Sequence, residues 1–297
     1  MKASILPRIV LILVLAGGVT RADVQSSADT SAPTTVPPVV VTGTNTFLES
    51  QPFGPYGQPE WTAARRFSTT RVYVRPAWQA ATEIGFNTTY ARGDRPSTKF
   101  TQEFEVGLPY RLQVDYEAAQ TTTTVDSRYD SSSFEVRWAL ADWNKIPLNP
   151  TLKAEWKIAD SEADFYEFSI SFGGDLGQRW HWGAELFNEQ QVGDGREHEY
   201  TGSLALSYSV VDEVFGVGLE AQLKDENDKD QNNPELMLIV GPSIQWRPTL
   251  NTHLDIAPLI GVTGRAPNLE TFIFFGFDFG PGAERPETLQ PASLRNK

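Results

Sequence analysis

Cysteine is absent from all 297 residues. The chain therefore holds no disulfide, no thiolate metal site and no cysteine nucleophile. Histidine is almost as scarce: there are three, in "HWG" at His181, "HEY" at His198 and "HLD" at His253. None begins an HExxH or any other spacing that metal ligation needs. Basic charge is short as well, with 25 Lys and Arg against 38 Asp and Glu and a formal net charge of −13. That balance excludes nucleic acid as a partner. Past the first twenty residues there is no long apolar run, so no transmembrane helix is expected. A chain this size without disulfides needs either a large core or a solvent other than water.

What is present begins with "MKASILPRIVLILVLAGGVTRADV". Lys2 and Arg8 form a basic n-region, Ile9 to Ala16 an apolar h-region, and Thr20-Arg21-Ala22 a small-residue cleavage site, so residues 1–22 read as a secretory signal peptide. Without Lys2, Arg8 and Arg21 the net charge falls from −13 to −16. Residues 23–60 are rich in Ser, Thr, Pro and Gly and are expected to be a disordered periplasmic tail, because they cannot bury enough apolar surface alone. Residues 61–81 differ. Arg65, Arg66, Arg71 and Arg75 occur there among Trp61, Phe67, Val72, Tyr73 and Val74 with no acid between them. The segment is expected to enter or seal the mouth of whatever follows. Residues 281–297 read as a second tail.

Residues 82–280 alternate with period two, the mark of half-buried strands. "KFTQEFEVGLP" sets Phe100, Phe104, Val106 and Leu108 against Thr101, Glu103 and Glu105. "RLQVDYEAA" sets Leu112, Val114 and Tyr116 against Arg111, Gln113, Asp115 and Glu117. "TLKAEWKIAD" and "DFYEFSISFGG" repeat the pattern, and the last run, "TFIFFGFDFG", sets Ile273, Phe275, Phe277 and Phe279 against Phe272, Phe274, Gly276 and Asp278. Twelve such runs occur. Short links ("GLPYR", "NKIPLNP", "GDLGQ", "VVDE", "PTLN") follow the even strands, and mostly longer polar loops ("GDRPST", "TTTTVDSRYDSS", "VGDGREH", "DENDKDQNNP") follow the odd ones.

Alternation alone does not say which face is inside. A soluble secreted sandwich buries its apolar face, and a membrane barrel turns it outward. Aromatic placement decides. Tyr90, Phe100, Tyr116, Phe134, Tyr166 and Tyr200 fall toward the long-loop ends, and Tyr110, Phe172, Trp180, Trp182, Tyr208, Phe215 and Trp246 toward the short turns, with Val, Leu and Ile between. Two belts fit two membrane interfaces. The chain therefore resembles the general class of twelve-stranded outer-membrane β-barrels of Gram-negative bacteria, and its expected fold is all-β, an up-and-down antiparallel barrel of about twelve strands in the cell outer membrane. The phenylalanines of 271–280 are expected at lipid and Asp278 in the lumen. The stretch also resembles the C-terminal assembly signal of such barrels, except that seventeen residues follow Gly280.

That resemblance brings alternatives. Twelve-stranded barrels include phospholipases with a His-x-Ser pattern, which none of the three histidines here has, so no enzymatic activity and no cofactor is expected. "DENDKDQNNPE" lacks the Gly and Glu of a calcium-binding EF-hand loop, which leaves a solvated acidic loop or loose bridging of divalent cations to lipopolysaccharide. "PPVVVTGTN" at 37–45 resembles the segment where TonB-dependent receptors begin their plug. Those receptors have a far larger barrel, and TonB coupling is not expected.

The lumen carries the functional reading. Its acids are expected to be Glu83, Glu103, Glu105, Asp115, Glu117, Glu135, Glu155, Glu167, Glu185, Glu189, Glu220, Asp255 and Asp278, and its bases Arg111, Arg137, Lys153, Lys157, Arg179, Lys224 and Arg247. Twelve strands about 4.8 Å apart and tilted about 40° make a backbone cylinder roughly 24 Å across. Acidic excess in such a space suits a narrow passive pore for small polar or cationic solutes. The alternative is a non-conducting barrel that is structural or binds partners through its loops.

Overall fold

The computed structural model describes residues 47–193, 197–227 and 235–280. The signal peptide, the 37–45 run, most of the acidic loop at 225–234 and the 281–297 tail lie outside the described residues. Twelve strands form one closed antiparallel barrel. In chain order they are β1 (Ala80–Tyr90), β2 (Ser97–Leu108), β3 (Leu112–Thr123), β4 (Ser127–Ala139), β5 (Thr151–Ala159), β6 (Phe165–Asp175), β7 (Trp180–Gln191), β8 (His198–Val211), β9 (Phe215–Asn227), β10 (Glu235–Thr249), β11 (Thr252–Gly261) and β12 (Leu269–Phe279). Each pairs with its sequence neighbour, and β12 closes on β1 with Ile273 opposite Phe86 and Asp278 opposite Ala81. Closure leaves no edge strand to template aggregation, and the β10–β11 register is interrupted between Val240 and Ile244, where Pro242 and Pro258 have no amide to donate.

The faces sort as the period-two pattern predicts. Ile84, Phe86, Phe104, Val114, Tyr116, Phe134, Val136, Trp156, Ile158, Phe168, Leu204, Leu219, Ile244, Phe275 and Phe277 are exposed on the outside. Glu83, Glu105, Asp115, Glu135, Glu185, Glu220 and Asp255 are buried inside. This is an inside-out distribution for water and the expected one for lipid. Outer aromatics pair across strands, Phe86 with Phe100 at 5.2 Å, Tyr116 with Phe134 at 5.1 Å and Trp180 with Tyr208 at 4.9 Å between ring centroids.

Four expectations are corrected. Residues 47–60 pack into the barrel: Glu49, Tyr56 and Gln58 are buried, so the tail does not extend to residue 60. A Pro- and Gly-rich stretch that cannot make a core alone can still fill one walled by other residues. Loop lengths do not alternate cleanly. "TTTTVDSRYDSS" is mostly strand, with only residues 124–126 as the turn, whereas the link on the short-turn side between β4 and β5 spans 140–150. Arg111 and Arg179 lie in turns at the short-turn rim instead of on the lumen wall: Arg111 has φ 63° and reaches Ala139 and Asp142, and Arg179 stacks 3.9 Å over Phe47. Finally, Phe272 and Phe274 face inward. Phe272 packs with Ile239, Ala257, Leu259 and Ala266, and the Arg65 guanidinium sits 4.1 Å over the Phe274 ring.

Candidate functional site in the barrel lumen

Residues 47–79 form a strap at the short-turn mouth, and its middle, 58–76, is buried inside the barrel. It begins at the short-turn mouth, where the Leu48 and Glu49 amides donate to Asp212 (2.8 and 3.2 Å) and the Ser50 hydroxyl donates to the Gln178 carbonyl (2.9 Å). It rises to Ser68 and Thr69, whose amides donate to the Glu220 carboxylate at 3.1 and 2.8 Å, with the Thr69 hydroxyl adding a third bond. It then descends to Trp78, whose amide donates to the Gly107 carbonyl (2.7 Å), and leads into β1.

Two kinds of contact hold the strap. The first is an apolar cluster of Tyr56, Trp61, Phe67, Val72, Tyr73 and Val74 with Ala139, Trp143 and Ala205 of the barrel. Trp143, from the 140–150 link, packs edge-on against Trp61 and Tyr73 at 5.9 and 5.2 Å. Its amide donates to the Tyr56 carbonyl, and the Tyr73 hydroxyl donates to the Ala141 carbonyl. The wall makes room by omitting side chains. A Cβ on Gly107 would lie 2.1 Å from the Pro76 carbonyl oxygen, and one on Gly173 would lie 2.1 Å from Val72 Cγ1.

The second contact is ionic. Arg65 Nε donates to both Glu83 oxygens (2.8 and 2.9 Å), and its Nη2 reaches Glu103 at 3.4 Å. Arg71 Nη2 donates to Glu105 at 2.6 Å. Arg75, 1% exposed, donates to Glu105, to Asp278 at 2.6 Å and to the Ala63 carbonyl at 2.8 Å, while its amide donates to Gln113 at 2.7 Å. Arg66 points the other way, donating to Ser207 (2.9 Å), Ser209 (2.8 Å) and Glu49 (3.2 Å). His181 joins Glu49 at 2.9 Å and Asp175 at 2.7 Å, and Trp61 Nε1 donates to the same Asp175. Burial alone would raise the Glu49 pKa, but the His181 bond and the Arg66 and Arg247 charges outweigh it and hold the carboxyl below the usual glutamate range. Arginine suits these sites because its planar fork pairs with carboxylates and stays charged when desolvated.

The rest of the wall is largely self-paired. Arg137 contacts Glu135 and, at 3.4 Å, Asp115. Lys153 lies between Glu135 (3.5 Å), Glu155 (3.4 Å) and Glu167, and Lys157 pairs with Glu189. Glu185 accepts from Ser169 at 2.7 Å, and Asp255 joins His253 at 2.6 Å. Glu117 faces Lys99 at 3.6 Å, and Lys224 faces Glu199 at 3.8 Å. Lys99, Glu199 and Glu270 belong to the inner wall and were missed in the sequence, as was Glu49. The first three sit where the period-two face reaches the polar strand ends. Above the strap, toward the long loops, lies a cavity of about 240 Å³, and Arg65, Arg71, Glu103, Glu135, Lys153, Lys157 and Phe187 are among its lining residues.

No family profile matches the chain, and no curated protein does. Solved structures do. An outer-membrane channel from Pseudomonas putida F1 is similar over 70% of this chain and 97% of its own, at 11% identity and a TM-score of 0.51. The NanC porin aligns over 68% of this chain and 99% of its own (14% identity, TM-score 0.48), and the KdgM porin over 67% and 98% (7% identity, TM-score 0.43). By fold the chain is a twelve-stranded β-barrel of the outer-membrane kind, and its apolar outer face places it in the cell outer membrane.

Proposed function

We propose that this protein is a narrow passive channel for small polar or cationic solutes, held shut at its short-turn mouth by residues 47–79. The observation that carries the reading is the charged cavity of about 240 Å³ that ends on the strap instead of on the sheet. A wall lined with fixed charges on both sides suits hydrated or ionic solutes and disfavours apolar ones. Glu103, Asp115, Glu117, Glu135, Arg137, Glu155, Glu167 and Glu185 line the cavity that a solute would meet, and Glu105, Glu220 and Asp255, buried while the strap is docked, join that wall once it leaves. Arg65, Arg66, Arg71 and Arg75 act as the plug's anchors. The short turns face the periplasm and the long loops the lipopolysaccharide, with lipid around the apolar band.

A second reading has its own support. Trp61, Phe67 and Val74 are fully buried and the strap's arginines are ion-paired or hydrogen-bonded, as expected for a permanent filling and a barrel that does not conduct. Liposome swelling separates the two. Full-length protein should admit small sugars and amino acids slowly, and a variant lacking 61–76 should admit them faster and pass larger ones. Gly173→Val gives a second route, because it displaces Val72 and leaves every charge in place. If both variants assemble, judged by heat-modifiable gel mobility, and neither speeds swelling, the channel reading fails.

A further inference from the structure

The carboxylates that hold the strap are built into the barrel and the cations are not. Asp278 on β12, Glu83 on β1, and Glu103 and Glu105 on β2 occupy three adjacent strands. Glu83 lies directly across from Glu103, and Ala81 joins Glu105 on one side to Asp278 on the other. Oxygens of Glu83, Glu103 and Glu105 fall within 4.8 Å of one another. Such a cluster of charged carboxylates is strongly disfavoured without counter-charge in a desolvated wall, and it is relieved either by protonation or by a cation that occupies it. In this structure the occupants are the guanidinium groups of Arg65, Arg71 and Arg75, delivered by a segment that is not part of the sheet. Arg65 docks on Glu83 through Nε and Nη2, Arg75 spans Glu105 and Asp278 through Nε and Nη1, and Arg71 reaches Glu105 through Nη2 alone, contacts that a small guanidinium solute could reproduce. Arg65, Arg71 and Glu103 also line the cavity, so a solute there reaches the top of the cluster.

From this geometry we infer that the Glu83–Glu103–Glu105–Asp278 cluster is a binding site for solutes bearing guanidinium or ammonium groups, and that the strap closes the lumen as a tethered mimic of them. The inference rests on the channel reading for its physiological meaning but not for its test. A cationic solute and the strap compete for the same oxygens, so the solute releases the strap. Sodium, which has no fork to match, does not.

The absence of cysteine makes the test clean, because a single introduced thiol is the only one. Ala64→Cys in the full chain places it on the strap at a residue 8% exposed, and Val125→Cys, 74% exposed, is the always-open control. Reaction with a methanethiosulfonate reagent is followed in sodium chloride, L-argininamide and calcium chloride at equal ionic strength. Argininamide at ten times its dissociation constant should speed Ala64→Cys labelling about tenfold, by mass action. Val125→Cys should not change, and combining Glu103→Gln with Glu105→Gln should abolish the argininamide effect. If Ala64→Cys does not assemble, Val72→Cys, also buried on the strap, replaces it. Equal labelling in sodium and argininamide overturns the inference, and so does release by calcium alone, which would make the cluster a metal site. Release by argininamide in a barrel that never conducts sustains the site and removes the channel. Conduction on strap deletion, with no argininamide effect, does the reverse.

Discussion

Consider the replacement of Arg75 by methionine, which keeps most of the side-chain volume and removes the charge. Arg75 is 1% exposed and bridges Glu105 and Asp278. Removing one partner of a buried ion pair typically costs about 3–5 kcal/mol. The lower end applies here, because Glu105 keeps Arg71 at 2.6 Å and only Asp278 loses its partnering cation. About 3 kcal/mol is roughly two powers of ten in the ratio of docked to released strap. The labelling rate of Ala64→Cys reads that ratio directly when strap opening and closing are fast compared with the reagent. We expect Arg75→Met to raise it about a hundredfold. Adding Asp278→Asn should recover much of the loss, since removing both charges of a buried pair is often close to neutral. A change below about threefold, or no recovery in the double variant, would refute the claim that buried charge pairing docks the strap.

Other outcomes follow from the same geometry. Gly107→Val drives a side chain into the Pro76 carbonyl and should release the strap without altering any charge; persistent protection of Ala64→Cys would show that the fit is looser than described. Glu49 has its pKa lowered in the folded state, so the stabilisation it gives is complete above its unfolded value of roughly 4.3 and is lost as pH falls through the lower folded value. Opening events in planar bilayers should therefore grow more frequent below about pH 4, whereas Glu49→Gln should already show them at pH 7 and respond less to acid. With residues 61–76 removed, the reversal potential should favour potassium over chloride, and combining Glu103→Gln with Glu105→Gln should weaken that preference; a chloride preference in the parent deletion would contradict it. A tag inserted at Asp230 should be reached by antibody on intact cells, and staining only after lysis would invert the topology.

The barrel was legible because a strand's period of two writes its two environments directly into the sequence. Glu103 and Glu105 alternating with Phe104 and Val106, or Asp115 between Val114 and Tyr116, cannot be arranged otherwise. The extrapolation failed where the strand stops: Arg111 and Arg179 precede Leu112 and Trp180, and with φ 63° at Arg111 the alternation no longer applies. The chemistry of Phe272 and Phe274 points to lipid although their positions face inward; Ile239, Ala257, Leu259 and Ala266 supply the apolar neighbours of Phe272, and Arg65 of the strap supplies the cation over Phe274. Residues 47–60 carried no periodic signal, since a strap that follows a curved wall repeats nothing. Their signal lay elsewhere. The inward glycines Gly107, Gly173, Gly183 and Gly216 cluster near the short-turn ends of their strands, and a wall stripped of side chains there implies that another segment packs against it, by its backbone at Gly107 and by side chains at the other three.

The central claim is that residues 47–79 close a passage that the barrel would otherwise offer. Planar-bilayer conductance tests it most directly, comparing full-length protein with the variant lacking 61–76, both checked for assembly by heat-modifiable mobility. The account predicts a closed or rarely opening full-length barrel and a steady ohmic conductance after the deletion. Equal conductance from two properly assembled barrels, whether both open or both silent, would contradict it.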